Sequence, residues 1–140
     1  MLGVIVGALL LGLCAAVVFA VAKDRGPGPG DVAVSYEHAW DRLDFEALWT
    51  LSAAELRDGL DRKRFIAAKK AAYASRAELR GLAEHIAVDD DIVRGDNALV
   101  TTSVVVRDGG VVHNTVQLVR RSSRWQVAAY AMVPATGTAP

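Results

Sequence analysis

From Asn97 to Val133 apolar and polar positions alternate with a period of two, broken twice by short turns. Asn97 to Arg107 is rich in β-branched residues and free of Pro and Gly, the composition of a half-buried strand. Asp108-Gly109-Gly110 supplies the positive-φ residues of a hairpin, Val111 to Arg121 returns, Ser122-Ser123 turns again, and Arg124 to Val133 closes the run. Alternation puts Val112, Val116 and Leu118 on one face of the middle strand. In the last strand it puts Trp125, Val127, Ala129, Ala131 and Val133 on one side, with Gln126, Tyr130 and Met132 on the other. Upstream, Leu82, Glu84, Ile86 and Val88 alternate with Ala83, His85 and Ala87 until Asp89-Asp90-Asp91, a polar turn that interrupts the strand, and Arg94-Gly95-Asp96 turns into Asn97. The spacing predicts a four-stranded antiparallel meander.

The segment before the strands has the period of helices that cover a sheet. Asp31 is a candidate N-cap for a helix with Val32, Tyr36, Ala39, Trp40 and Leu43 on one stripe. Asp44 caps a second helix in which Phe45, Leu48 and Trp49 point together. Ser52-Ala53-Ala54-Glu55 is a capping box for a short helix closed by Gly59. Asp61 opens a helix running to Ser75 or Leu79, with Phe65, Ala68, Ala72 and Leu79 reaching the core.

Leu2 to Ala22 has another character: 21 residues without a charge, long enough as a helix to cross the roughly 30 Å of bilayer hydrocarbon. A transmembrane helix over residues 1–22 is the favoured reading. A cleaved signal peptide is the rival, with Ala20-Val21-Ala22 as a small-residue site, but no Lys or Arg precedes the run and its apolar length exceeds the usual ~7–15 residues. Lys23 and Arg25 follow the span, so the positive-inside bias places the domain in the cytoplasm of a single-pass cell-membrane protein, an extracytoplasmic domain being the alternative. Gly3 and Gly7, then Ala8, Gly12, Ala16 and Ala20, form a small-residue stripe on which two spans could pair, although Ala and Gly are common in membrane helices anyway. Residues 23–30 read as a Gly/Pro linker, 31–134 as the folded domain and 135–140 as a disordered tail.

Charge narrows the picture little, because the 16 basic and 16 acidic residues cancel and all follow Ala22. The single cysteine, Cys14, excludes a disulfide framework within one chain. Arg62, Lys69 and Arg76 recur every seven residues, as do Lys63 and Lys70, giving five bases on one helix face. Such a face attracts anionic lipid headgroups, or is simply a solvated surface. There is no nucleic-acid motif and no overall basic excess, so nucleic acid is not an expected partner. The aspartates 89, 90, 91 and 96 lack the alternation, the Gly and the distal Glu of a calcium loop. His38, His85 and His113 stand alone, and no phosphate loop or nucleophile elbow occurs. No metal or cofactor is expected.

The order of elements, with Asp41-Arg42-Leu43-Asp44-Phe45-Glu46-Ala47-Leu48-Trp49 closing a Tyr-bearing helix and strands carrying Arg94-Gly95-Asp96-Asn97-Ala98-Leu99-Val100 and Arg124-Trp125-Gln126-Val127, resembles the nuclear transport factor 2-like superfamily over residues 31–134. The resemblance implies an α+β cone, a curved antiparallel sheet wrapped by helices around an open, partly apolar pocket, often with dimers formed through the sheet. Members include ketosteroid isomerases, cyclases and many non-catalytic binders, so the fold leaves the function open. Tyr36, Asp41, His85 and His113 have suitable acid–base chemistry, but none sits in a motif that maps onto a family catalytic position, and no catalytic residue is assigned. Pocket-lining candidates are Tyr36, Trp40, Trp49, Phe65, Val104, Val116, Trp125 and Val127, each of which could also be plain core. The expectation is a membrane-anchored, non-enzymatic domain that binds an apolar ligand or a partner protein. The alternatives are a small isomerase or cyclase, and a lipid-surface module using the basic helix.

Overall fold

A computed structural model of the chain describes residues 26–133. Helices α1 (Pro29–Arg42), α2 (Phe45–Leu51) and α3 (Arg62–Tyr73) precede strands β1 (Ala83–Arg94), β2 (Asn97–Val106), β3 (Val111–Arg121) and β4 (Arg124–Met132). The strands form one antiparallel sheet in the order β1-β2-β3-β4, the expected meander. Among the described residues no helix is long and apolar enough to cross a membrane. The expected span from Leu2 to Ala22, its small-residue stripe and the tail over 135–140 lie outside the described residues.

Cap chemistry that depends on neighbouring residues forms as read. The Asp44 carboxylate accepts the Ala47 N–H at 3.0 Å, and Asp61 accepts the Arg64 N–H at 2.8 Å. At α1 the reading shifts by one turn. Gly28 is the N-cap, Pro29 opens the helix with φ already suited to it, and Asp31 accepts the Gly28 N–H at 3.3 Å from within the first turn. Residues 29 and 30, expected in the linker, are therefore helical. The capping box at Ser52 does not form. Ala53 N–H donates instead to the Val127 carbonyl at 2.7 Å, so this segment covers the free edge of β4, while Glu55 pairs with Arg121. The short turn Ala54–Leu56 that follows has no side-chain cap.

Two features of the sheet depart from simple alternation. β1 runs straight through Asp89-Asp90-Asp91, and the aspartates sit at a register shift between Val88 and Asp90 rather than in a turn. β1 is an edge strand, and charge together with a bulge is how such an edge avoids pairing with another chain. In β4, Val127 pairs with Leu118 and Ala129 with Gln117, so Ala128 is an extra residue. Tyr130 then faces Val116 on the same side as Val127, which corrects the expectation that the two point to opposite faces.

The helices cover one face of the sheet. Val32, Ala33, Tyr36 and Ala39 of α1 pack with Ala98, Val100, Val116, Leu118 and Val127, and Phe45, Leu48, Phe65 and Ile66 complete the core. Each large aliphatic side chain buried here contributes about 1.5–3 kcal/mol against exposure. In α3 the inward stripe is Phe65, Ile66, Lys69 and Tyr73, whereas Ala68 is exposed; the expected stripe through Ala68 and Ala72 is rotated. Asp41 ties α1 to the start of β1. Its carboxylate accepts the Ala83 N–H at 2.8 Å and its carbonyl accepts the Gly81 N–H at 2.8 Å.

Candidate functional site

The inner face of the sheet presents one row of polar side chains. Thr102 of β2 pairs directly with Asn114 of β3, and both are buried. Above them α1 contributes Glu37, only 5% exposed, one position beyond Tyr36 on the buried stripe. Three donors from three strands converge on it. Thr102 Oγ1 and Asn114 Nδ2 donate to Oε1 at 2.7 and 2.9 Å, and the Tyr130 hydroxyl donates to Oε2 at 2.8 Å. A carboxylate is the one side chain that accepts from all three at once. Charge-assisted bonds of this kind are the strong ones, and they make burial of the charge tolerable. Asn114 Oδ1 is buried without a protein partner.

Tyr130 carries this network to a cavity of about 210 Å³ between the helices and β4, lined by Tyr36, Trp40, Leu48, Ser52, Leu56, Asp58, Phe65, Lys69 and Tyr130. Four of these nine residues are aromatic. The Tyr36 and Tyr130 centroids are 5.2 Å apart, and Tyr36 meets Trp40 edge-on at 6.4 Å. Burial pushes the Tyr130 phenol far above its ordinary value, and the Glu37 charge and hydrogen bond push the same way. Burial also raises the Tyr36 phenol, against the opposing pull of the neighbouring Trp40 and Ser52 side chains. Both phenols are therefore neutral at physiological pH. At the rim, Lys69 Nζ lies 3.8 Å from Asp58, 5.4 Å from the Phe65 ring centroid and 5.8 Å from that of Trp40.

Of the eight residues expected to line a pocket, Tyr36, Trp40 and Phe65 line this cavity. Trp49 lies behind it, against Phe65 at 5.5 Å and under the Arg57 guanidinium at 4.0 Å. Val116 and Val127 are fully buried core. Val104 is half-buried in the row where β2 pairs Ile86 and Val112. Trp125 flanks a separate cleft with Gly26, Val32 and Leu51. The remaining lining residues, Leu48, Ser52, Leu56, Asp58, Lys69 and Tyr130, and Glu37 behind them, are not among the pocket residues expected from sequence. The basic face does not hold together as drawn. α3 ends at Tyr73, so Arg76 lies beyond it and pairs with Glu78 at 2.9 Å, while Lys69 turns into the cavity rim. Arg62, Lys63 and Lys70 remain exposed on the helix, Arg62 within 3.5 Å of Glu46. No group of three or more potential metal ligands occurs among the described residues. Asp89, in the β1 bulge, accepts from Ser103 Oγ at 2.9 Å and lies 3.2 Å from His113 Nδ1, all on the sheet face away from the helices.

No family model and no curated protein matches the sequence. Solved structures do. A Campylobacter jejuni protein whose name carries the words NTF2-like transpeptidase superposes with a TM-score of 0.54 at 18% identity, over 69% of this chain and 94% of that one. A SEC-C motif protein from Rhodopseudomonas palustris gives 0.52 at 19% identity, over 74% and 77%. An NTF2-like protein of unknown function from Silicibacter pomeroyi gives 0.48 at 18% identity, over 73% and 90%. At these identities the likeness concerns fold alone. Three helices on one face of a four-stranded antiparallel meander give the chain a nuclear transport factor 2-like fold.

Proposed function

We propose that the domain binds a small, largely apolar ligand in the cavity between its helices and β4, without performing chemistry on it. The observation that supports this reading is the wall itself: four aromatic side chains and two leucines, with a few fixed polar groups, the usual make-up of a small-molecule site. Glu37 holds Tyr130 in one orientation, so that part of the wall is preorganised. A small enzyme of the isomerase or cyclase kind is the second reading, favoured by a phenol in the cavity wall backed by a carboxylate. It ranks lower because a general base must come within hydrogen-bond reach of the substrate, and Glu37, 5% exposed, lies behind Tyr130 and does not line the cavity. Attachment to a membrane through Leu2 to Ala22 belongs to this proposal on the sequence alone.

A fragment screen by saturation-transfer NMR tests the reading, with Leu56→Trp as a variant that fills the cavity. Small aromatic and alicyclic compounds are expected to bind the parent chain and to lose binding in L56W. Binding unchanged in L56W, or no binding at all, overturns it.

A further inference from the structure

We propose that the ligand class this cavity takes is a small organic ammonium ion, seated on the aromatic wall and donating an N–H to the Tyr130 hydroxyl oxygen. This rests on the pocket reading above and names its ligand. The hydroxyl proton of Tyr130 points at Glu37, so the oxygen offers only lone pairs to the cavity. A ligand that meets it must bring a donor. The faces of Tyr36, Trp40, Phe65 and Tyr130 carry the negative side of the ring quadrupole, which attracts a cation and is indifferent to an alcohol.

Charge points the same way. Glu37 stands directly behind Tyr130, whereas Asp58 and Lys69 offset each other at the rim and the Arg57 guanidinium lies against Trp49, which does not line the cavity. An anionic ligand would find only Lys69, and Lys69 already faces Asp58 at 3.8 Å. The chain also shows the preference in its own side chains. The Lys69 ammonium rests within 6 Å of two ring centroids of the wall, at 5.4 and 5.8 Å, where a cation is attracted and an anion is not. A ligand ammonium deeper in the cavity, at Tyr130, would have the Glu37 charge behind it.

Three probes of one shape separate the possibilities: benzylammonium, benzyl alcohol and benzoate, titrated by calorimetry into the 140-residue chain in non-ionic detergent. Benzylammonium is expected to bind about tenfold tighter than the other two, the factor a desolvated cation–aromatic contact supplies. Tyr130→Phe should remove most of that advantage, weakening benzylammonium more than benzyl alcohol, whose neutral O–H makes the weaker bond to the same oxygen. Lys69→Met, a rim substitution that a helix tolerates, should strengthen benzylammonium by removing a competing cation. Equal affinity for ammonium and alcohol, or preference for benzoate, overturns the ammonium assignment and leaves the pocket standing. Failure of all three probes, or binding that survives L56W, overturns the pocket and this inference with it.

Discussion

Replacing Glu37 with Ala is the substitution that separates this architecture from an ordinary apolar core. It removes the acceptor for three donors, and the magnitude depends on what each donor does next. Thr102 and Asn114 are 0% and 3% exposed, so neither hydroxyl nor amide reaches solvent once the carboxylate is gone. Each buried donor left unpaired costs about 1–3 kcal/mol. Tyr130 is only half-buried and borders the cavity, so its hydroxyl can turn to water there and costs less. Loss of a desolvated charge with its carboxylate offsets part of the sum, and Ala leaves a small void. The net expectation is about 3–5 kcal/mol, a large share of the roughly 5–15 kcal/mol that holds a domain together. Urea unfolding followed by tryptophan fluorescence reads it directly, since Trp40, Trp49 and Trp125 lie in or beside the core. A companion variant in which Glu37, Thr102, Asn114 and Tyr130 become Met, Val, Leu and Phe together should recover much of the loss, because both sides of every bond are removed at once. Glu37→Ala within 1 kcal/mol of the parent, in a chain that still unfolds cooperatively, would refute the reasoning.

Other expectations follow from single contacts. Arg121 holds the Glu55 carboxyl at about 2 rather than 4.5, chiefly through their hydrogen bond. Its contribution is therefore present above the unfolded value and lost as pH falls toward 2. NMR titration of the Arg121→Ala chain should show Glu55 back in the ordinary carboxylate range, and an unmoved midpoint would count against the pair. Tyr36 and Tyr130 are raised above 10.0, so the folded state keeps protons that the unfolded chain releases, and stability should decline as pH rises beyond 10.0. Phenolate absorbance should rise for both only as the chain unfolds; early, reversible ionisation of either contradicts its burial. Ser122 and Ser123 both have positive φ, 51° and 62°, in a two-residue hairpin turn. Ser122→Asn with Ser123→Gly should stabilise by about 1 kcal/mol in the same urea assay, and a loss of stability would mean the serines are needed for more than the turn.

What the sequence made legible was local. Strands with β-branched residues between Gly-bearing turns, and the Asp44 and Asp61 caps, are decided within a few residues, and they form where expected. What it hid was tertiary. Glu37 sits beside Tyr36 where a helix stripe grades into its polar flank, and its partners lie 65, 77 and 93 residues away. Ser52 and Glu55 carry a sound capping signal, but the β4 edge holds the backbone at Ser52 and Ala53 extended and Arg121 takes the Glu55 carboxylate. Three consecutive aspartates disfavour a strand by propensity, yet an edge strand is where charge is useful. Strict alternation puts Tyr130 on the wrong face, because nothing in Val127-Ala128-Ala129-Tyr130 marks the middle of that run as a bulge.

That bulge has a consequence for how this site can change over generations. Ala128 borders a cleft with Ile92, Leu99, Gln117 and Val119, apart from the cavity at Tyr130, so point substitutions there should leave the cavity wall in place. Removing one codon between Val127 and Tyr130 is different. It restores strict alternation, turns Tyr130 to the far side of the sheet and strands Glu37 without its third donor. The hydroxyl in the cavity is thus inherited as a residue count as much as a residue identity, and a one-codon insertion or deletion in β4 rewrites the pocket wall in a single event.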